Sequence, residues 1–342
     1  MITIKDIARE AGVSVTTVSN VIHNKTKKVS QNTIDRINRI IKERNYIPNM
    51  GARMLVQHSS RIIGVIASVL TDPDSGYLYT PFVSTMIGAI QEEVQRKGYY
   101  MMLYASHSSE EICSMAMQWN VAGIITVGVY IDVCKKLSQS ITVPTVFTDT
   151  YFDAYEKHVN IGTQDEEGMY QAVKYLIQRG HKRIGYVIDH NHDGKNVGGF
   201  RYAGYCRALK EAGLEINPQW IFKAEIGVKS KPERFEEIYQ ASKSLSALAV
   251  CYDYYALDLM GYLLDRGVDI PGDLSVISFD DIEYDAFSRP GLTTMRQNVQ
   301  EKGALAVTQL LKLIGNQPIE TRCIRLPVTL VERKSVRDWT EG

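Results

Sequence analysis

Over the first 45 residues, apolar positions recur every three or four residues and almost nowhere alternate. In "TIKDIAREAG", Ile4, Ile7, Ala8 and Ala11 share one helical face. Thr3 is placed to cap that helix, Asp6 completes a short-armed capping box, and Gly12 suits the stop. The next stretch, "VSVTTVSNVIHN", is ambiguous by composition, because its β-branched residues favour a strand. Spacing decides for a helix: Val15, Val18, Val21 and Ile22 fall at helical intervals behind a Ser14 cap, whereas alternation would set Thr17 and Ser19 on the face of Val15 and Val21. A third helix is predicted in "SQNTIDRINRIIKERNY", with Ser30 as its cap, Ile34, Ile37, Ile40 and Ile41 as its stripe, and Pro48 barring continuation.

After Arg61 the rhythm becomes short apolar runs, each followed by an amphipathic helix: "RIIGVIASVL", "FVSTMIGAIQEEVQRKG", "YYMMLYAS", "VAGIITVGV" and "VPTVFTDT". It restarts with "GMYQAVKYLIQRG", "RIGYVID", "GFRYAGYCRALKEAG", "SALAVCYD", "YALDLMGYLLDRGV" and "DLSVISFDD". Strands buried on both faces and alternating with helices predict parallel sheets, so the fold class is an all-α head followed by two α/β lobes. Residues 46–61, "YIPNMGARMLVQHSSR", join head to body, ending in a linker-like "HSS".

Net charge over the 342 residues is zero, but it is unevenly spread. Up to Arg61 there are eleven basic and four acidic residues, a net +7, which leaves −7 on the remainder. A basic head on an acidic body points to DNA. The five cysteines are scattered without a C-x-x-C pair, which supports neither a disulfide framework nor a zinc ribbon. No stretch is apolar enough to span a membrane and the N-terminus is charged, so a cytoplasmic, nucleoid-associated location is expected. Phosphate-loop, dinucleotide and nucleophile-elbow motifs are missing, which argues against an enzyme, and no cofactor is expected. The cluster "DHNHDG" (189–194) invites a metal, but neighbouring ligands on one loop seldom encircle an ion, and no metal is assigned.

Two short helices joined by a glycine-containing turn, the second rich in Thr, Ser and Asn, describe a helix-turn-helix. Thr16 and Asn20 lie one turn apart on the outward face and can reach base edges, while Val15 can meet a thymine methyl. Ser14, Thr17, Asn24 and the basic turn "NKTKK", with Lys27, suit phosphates. In the body, ligands of parallel sheets bind beyond the carboxyl ends of the strands. The candidates there are Asp149, Asp189, His190, Asp253 and Asp280, with Arg201 at the start of "RYAGYCRAL". Carboxylates and arginine suit bidentate bonds to sugar hydroxyls, and Tyr77, Tyr79 or Phe82 can offer an aromatic platform.

"TIKDIAREAGVSVTTVSNVIHN", followed by "VSQNTIDRINRIIKERNYIPNMGARML", resembles the LacI/GalR family of bacterial transcription regulators. The resemblance continues through "RIIGVI", "GHKRIGYV", "FRYAGY", "SVISFDD", "PGLTTMRQ" and "LPVTLVER", nearly the whole chain. It implies a helix-turn-helix head (1–48), a hinge helix and linker (49–60), and a two-lobed periplasmic-binding-protein-like body. The first lobe would hold 61–161 and 291–321, the second 162–290 and 322–342, with crossovers near 161, 290 and 322. The resemblance adds Tyr46, Asn49 and Arg53 to the DNA contacts and makes Leu55 a minor-groove wedge. It maps Arg201 and Asp280, with Asp149 and Asn196, onto effector-contacting positions. The implied protein is a homodimer, or a tetramer, on a near-palindromic operator, switched by a sugar or sugar phosphate. Two departures suggest a specialised pocket: Tyr252 stands where many relatives have Asn, and "TDPDSGYLYT" is long. The competing readings are a free sugar-binding protein, an α/β enzyme, or constitutive DNA binding with a vestigial pocket.

Overall fold

The computed structural model describes residues 2–22, 25–46, 60–67, 80–152, 158–189, 196–224 and 232–340. The chain forms two compact units, residues 1–60 and 61–342.

In the first unit, α1 (Ile4–Glu10), α2 (Val15–Ile22) and α3 (Gln31–Glu43) enclose a core of Ile7, Ala8, Ala11, Val18, Val21, Ile37 and Ile40. The caps form as the sequence predicts. Thr3 and Asp6 satisfy each other's backbone N–H groups in a capping box, and Ser30 Oγ accepts from Thr33 N. Gly12, at φ +61°, turns the chain between α1 and α2 in the left-handed region that disfavours side chains bearing a Cβ. The β-branched residues of α2 do not prevent the helix, because Val18 and Val21 are buried between its neighbours.

In the body, a six-stranded sheet has the order β11-β5-β4-β3-β1-β2. Its strands are β1 (Ile62–Ile66), β2 (Tyr100–Tyr104), β3 (Gly123–Thr126), β4 (Thr145–Thr148), β5 (Val159–Thr163) and β11 (Cys323–Leu326). Helices α4 (Pro81–Arg96) and α12 (Val299–Ile314) cover one face, and α5 (Ser109–Gln118) and α6 (Ile131–Ser140) cover the other. The second sheet runs β12-β10-β9-β8-β6-β7. It is built from β6 (Ile184–Asp189), β7 (Ile221–Ala224), β8 (Ala247–Val250), β9 (Ser275–Asp280), β10 (Thr293–Gln297) and β12 (Val328–Val331). Helices α7 (Asp165–Gln178) and α8 (Val197–Glu211) pack on one side, α9 (Pro232–Ser242) and α10 (Asp253–Leu264) on the other, and α11 (Tyr284–Phe287) is a single turn beyond β9. Among the described residues, all pairings are parallel except β10 with β12, and the central strands β3, β4, β8 and β9 are buried on both faces.

The chain crosses between lobes at Gln164, Asn298 and Pro327. The first crossing lies close to its expected place, but the other two differ. Residues 291–321 do not all belong to the first lobe, because β10 pairs with β9 and β12 in the second sheet. Strand β11, assigned by sequence to the second lobe, pairs with β5 in the first. A strand's sheet is set by non-local hydrogen bonds, to which local periodicity is blind.

Candidate functional site

The outward face of α2 carries the predicted DNA-reading residues. Val15 is 41% exposed, Thr16 is exposed, and Thr17 and Asn20 are half-buried. Ser14 Oγ accepts from Thr17 N (3.1 Å) and lies 2.8 Å from Thr17 Oγ1, so these two side chains hold the helix start in one geometry. Lys25, Lys27 and Lys28 stand exposed beyond the helix. Tyr46, expected among the DNA contacts, is half-buried against the core of the head. Asn24, Asn49, Arg53 and Leu55, together with the hinge segment, lie outside the described residues, as do Tyr77, Tyr79 and His190.

The body gathers its candidates where the two sheets' carboxyl ends face each other. Arg201, 2% exposed, donates through Nε to Asp165 Oδ1 (2.9 Å) and through Nη1 to the Cys251 carbonyl (2.5 Å) and Asp280 Oδ1 (3.4 Å). Its guanidinium lies 3.7 Å over the Phe279 ring and 4.9 Å from the Tyr252 ring, so both rings support the arginine's face. Burial works against this charge, but Asp165 and Asp280 outweigh it and raise the pKa.

The close approach of α7 and α8 depends on Gly204. A Cβ there would lie 2.1 Å from the Glu166 carbonyl oxygen, and only its absence lets α8 bring Arg201 against Asp165.

From Asp280 the polar chain continues into the first lobe. Gln297 Nε2 donates to Asp280 Oδ1 (2.6 Å), while Gln297 Oε1 accepts from Thr163 Oγ1 (3.0 Å) and Lys302 Nζ (2.8 Å). Lys302, only 1% exposed, also donates to Asp149 Oδ1 (2.7 Å) and lies 5.5 Å from the half-buried Phe82 ring. On the other side of Arg201, Tyr151 OH donates to Asp165 Oδ2 (2.5 Å). Three cationic or carboxamide side chains and three carboxylates thus form one network across both lobes.

Asp149 (φ 53°), Asp280 (φ 137°) and Asp281 (φ 62°) occupy backbone conformations costly for residues with a Cβ. The Asp280–Asp281 turn is held by a residue the sequence placed in the cleft. Asp253 is fully buried, and its carboxylate accepts from Asp281 N (2.6 Å), Ile282 N (3.4 Å) and Thr294 Oγ1 (2.7 Å). It positions Asp280 and presents no surface to a ligand. Asn196, another expected contact, caps α8 by accepting from Gly199 N (2.9 Å). Burial pushes the Asp280 carboxyl up to about 7, against the pull of Arg201 and with the Asp253 charge adding to the rise.

Sequence reasoning missed Lys302, Gln297, Asp165 and Thr163. Two of them left a signal: Lys302 lies on the buried stripe of α12 with Gly303, Ala306, Val307 and Leu310, and Asp165 on that of α7 with Gly168, Met169, Ala172 and Val173. A charged residue on an apolar stripe has to find a partner inside the fold. Gln297 and Thr163 left none, because each is an ordinary polar residue at a strand end. Among the described residues, no group of three or more His, Cys, Asp and Glu side chains is arranged to hold a metal, and no helix is long and apolar enough to cross a membrane.

A helix-turn-helix head joined to a two-lobed body with a polar network between the lobes defines a ligand-regulated DNA-binding protein. Residues 3–49 match the bacterial regulatory proteins of the lacI family, and residues 173–336 a periplasmic binding protein-like domain. The HTH-type transcriptional repressor PurR of Pasteurella multocida (strain Pm70) is 34% identical over 345 residues, covering 98% of this chain and 99% of the relative. The repressor of the same name from Vibrio cholerae serotype O1 (strain M66-2) is 32% identical over the full length of both. Among solved structures, the lac repressor dimer bound to operator and the anti-inducer ONPF aligns with a TM-score of 0.82 at 25% identity over 98% of each chain. The transcriptional regulator CelR–cellobiose complex shares the fold, with a TM-score of 0.73 at 23% identity over 98% of this chain and 100% of that one. The chain belongs to the LacI family: it is a DNA-binding transcriptional repressor with a small-molecule effector domain, and not an enzyme.

Proposed function

We propose that this repressor is a homodimer on a near-palindromic operator, released or tightened by a neutral, hydroxyl-rich effector, a sugar, bound between the lobes. The observation that carries the reading is the charge pairing of the interlobe network. Arg201 is matched by Asp165 and Asp280, and Lys302 by Asp149. Hydroxyls can both donate and accept, so they can replace the Gln297 and Thr163 contacts without leaving a buried charge unpaired. Phe82 supplies an aromatic face beside Lys302 and Asp149. A ligand joining Asp149 of the first lobe to Arg201 and Asp280 of the second favours one lobe angle, and its differential affinity for the two states is the switch.

On the DNA side, Thr16, Asn20 and Val15 read bases, Ser14, Thr17, Asn24 and Lys27 hold phosphates, Asn49 and Arg53 extend the contacts, and Leu55 wedges the minor groove. Support for the dimer comes from apolar residues left exposed on the body: Tyr100 and Leu103 on edge strand β2, and Tyr254, Tyr284 and Phe287 in the second lobe. The test measures thermal midpoints of the full-length protein against neutral sugars, sugar phosphates and other small anions, with operator binding followed in parallel. A neutral sugar should raise the midpoint and change operator affinity, since a ligand at about 100 Kd adds about 2.7 kcal/mol. Stabilisation by anions alone would overturn the neutral-effector reading.

A further inference from the structure

A cavity of about 650 Å³ opens between the lobes beside the first and third crossovers. It shares the wall formed by Tyr151, Thr163 and Asp165 with the polar network, but Asp149, Arg201, Asp280 and Lys302 do not line it. Its first-lobe side is basic, with Lys135 from α6 and Arg325 from β11. On the second-lobe side, Arg207 pairs with both Glu166 (2.7 Å) and Glu167 (2.5 Å), which offsets one of their two charges and draws both carboxylates to the arginine.

Arg325 is the telling residue. Its Nη1 donates to Asn160 Oδ1 (2.7 Å) and the Ile324 carbonyl (3.0 Å), and its guanidinium stacks 4.1 Å from the Tyr151 ring. Among the described residues it pairs with no carboxylate, and its Nε and Nη2 groups make no hydrogen bond. These two groups form the fork that recognises a carboxylate or phosphate through two parallel bonds. A rigid strand and an aromatic face hold the fork in place, so little freedom is lost when an anion docks. Among the described residues, the ion-pair partner of Lys135 is Asp132 alone, at 4.0 Å and largely exposed. The Phe200 ring, edge-on to Tyr151 at 4.8 Å, adds an apolar surface from the second lobe, and Phe152 adds one from the first.

We propose that this cavity is a second small-molecule site, distinct from the interlobe network, for a ring-bearing anion whose carboxylate or phosphate sits on the Arg325 fork. Lys135 supplies the second positive charge, and the ring packs against Phe200 and Phe152. Because Arg325 and Phe200 belong to different lobes, the occupant biases the lobe angle and acts as a second effector. Calorimetric titration of the full-length protein with benzoate, phenyl phosphate and inorganic phosphate tests it, the three arms separating carboxylate, phosphate monoester and bare anion. At least one ring-bearing probe should bind saturably and more tightly than inorganic phosphate. Arg325→Gln should weaken it about tenfold, the scale of one charge-assisted pair. The bound probe should also slow alkylation of the exposed Cys323 on the cavity wall, a wild-type readout that holds even if a variant fails to fold. The proposal is overturned by the absence of saturable binding or of Cys323 protection, or by undiminished binding to Arg325→Gln.

Discussion

Replacing Arg201 with Met keeps most of the side chain's volume and removes the charge at the centre of the interlobe network. Asp165 is then left buried with Tyr151 as its donor, and Asp280 keeps Gln297. Removing one member of a buried pair costs about 3–5 kcal/mol because the other charge is stranded. Asp280 can escape by taking a proton, since burial already holds its carboxyl at about 7, so the loss falls mainly on Asp165. That places the effect near the lower end, about 3 kcal/mol, or a fall of about 6–12 °C in the body's thermal midpoint. Adding Asp165→Asn removes the stranded charge, so the double variant should recover about 1–2 kcal/mol of the loss. Operator affinity without effector should stay near normal, and the effector response should vanish. A midpoint drop below about 2 °C, or strictly additive single and double effects, would refute the claim that Arg201 and Asp165 act as a buried pair.

Gly204→Ala should push α8 away from α7, lower stability by about 1–3 kcal/mol and weaken the effector response, although residue 204 sits in the helix packing contact and not in the polar network; thermal melts and operator release check both. Asp285 is buried beside Asp253 with neither carboxyl oxygen hydrogen-bonded among the described residues, and burial, with the Asp253 charge adding, pushes it up to about 11. A carboxyl raised on folding stabilises fully at acid pH, below its unfolded value, and loses that contribution as pH rises towards the folded value. Asp285→Asn should therefore match wild type only below about pH 4 and exceed it increasingly from there towards pH 9, and a difference constant with pH in melting experiments would contradict this. Lys27→Gln should weaken operator and random DNA alike and flatten the salt slope by about 2 for a dimer; a change confined to one operator sequence would make Lys27 a base reader instead.

Much of the head was legible in the sequence because its physics is local. Capping side chains, a glycine turn and three-to-four spacing act within one or two helical turns, which is why α1, α2 and α3 and the buried Val18, Val21, Ile37 and Ile40 lie where the pattern predicts. Alternating apolar runs and amphipathic helices were likewise enough for two parallel sheets, and the strand-end rule pointed to Asp149 and Asp280, which both lie in the interlobe network. Tertiary structure decided the rest. Which sheet receives β10 or β11 depends on pairing partners far along the chain, and that pairing sets Gln297 between Asp280 and Lys302. It also turned Asp253 from a cleft-facing candidate into the buried brace of the Asp280 turn, because the carboxylate's direction follows from the neighbouring strand and loop, not from its own segment. Periodicity assigns a residue to a face. Only the packed fold supplies the charge opposite it, and in this protein those opposing charges join the two lobes.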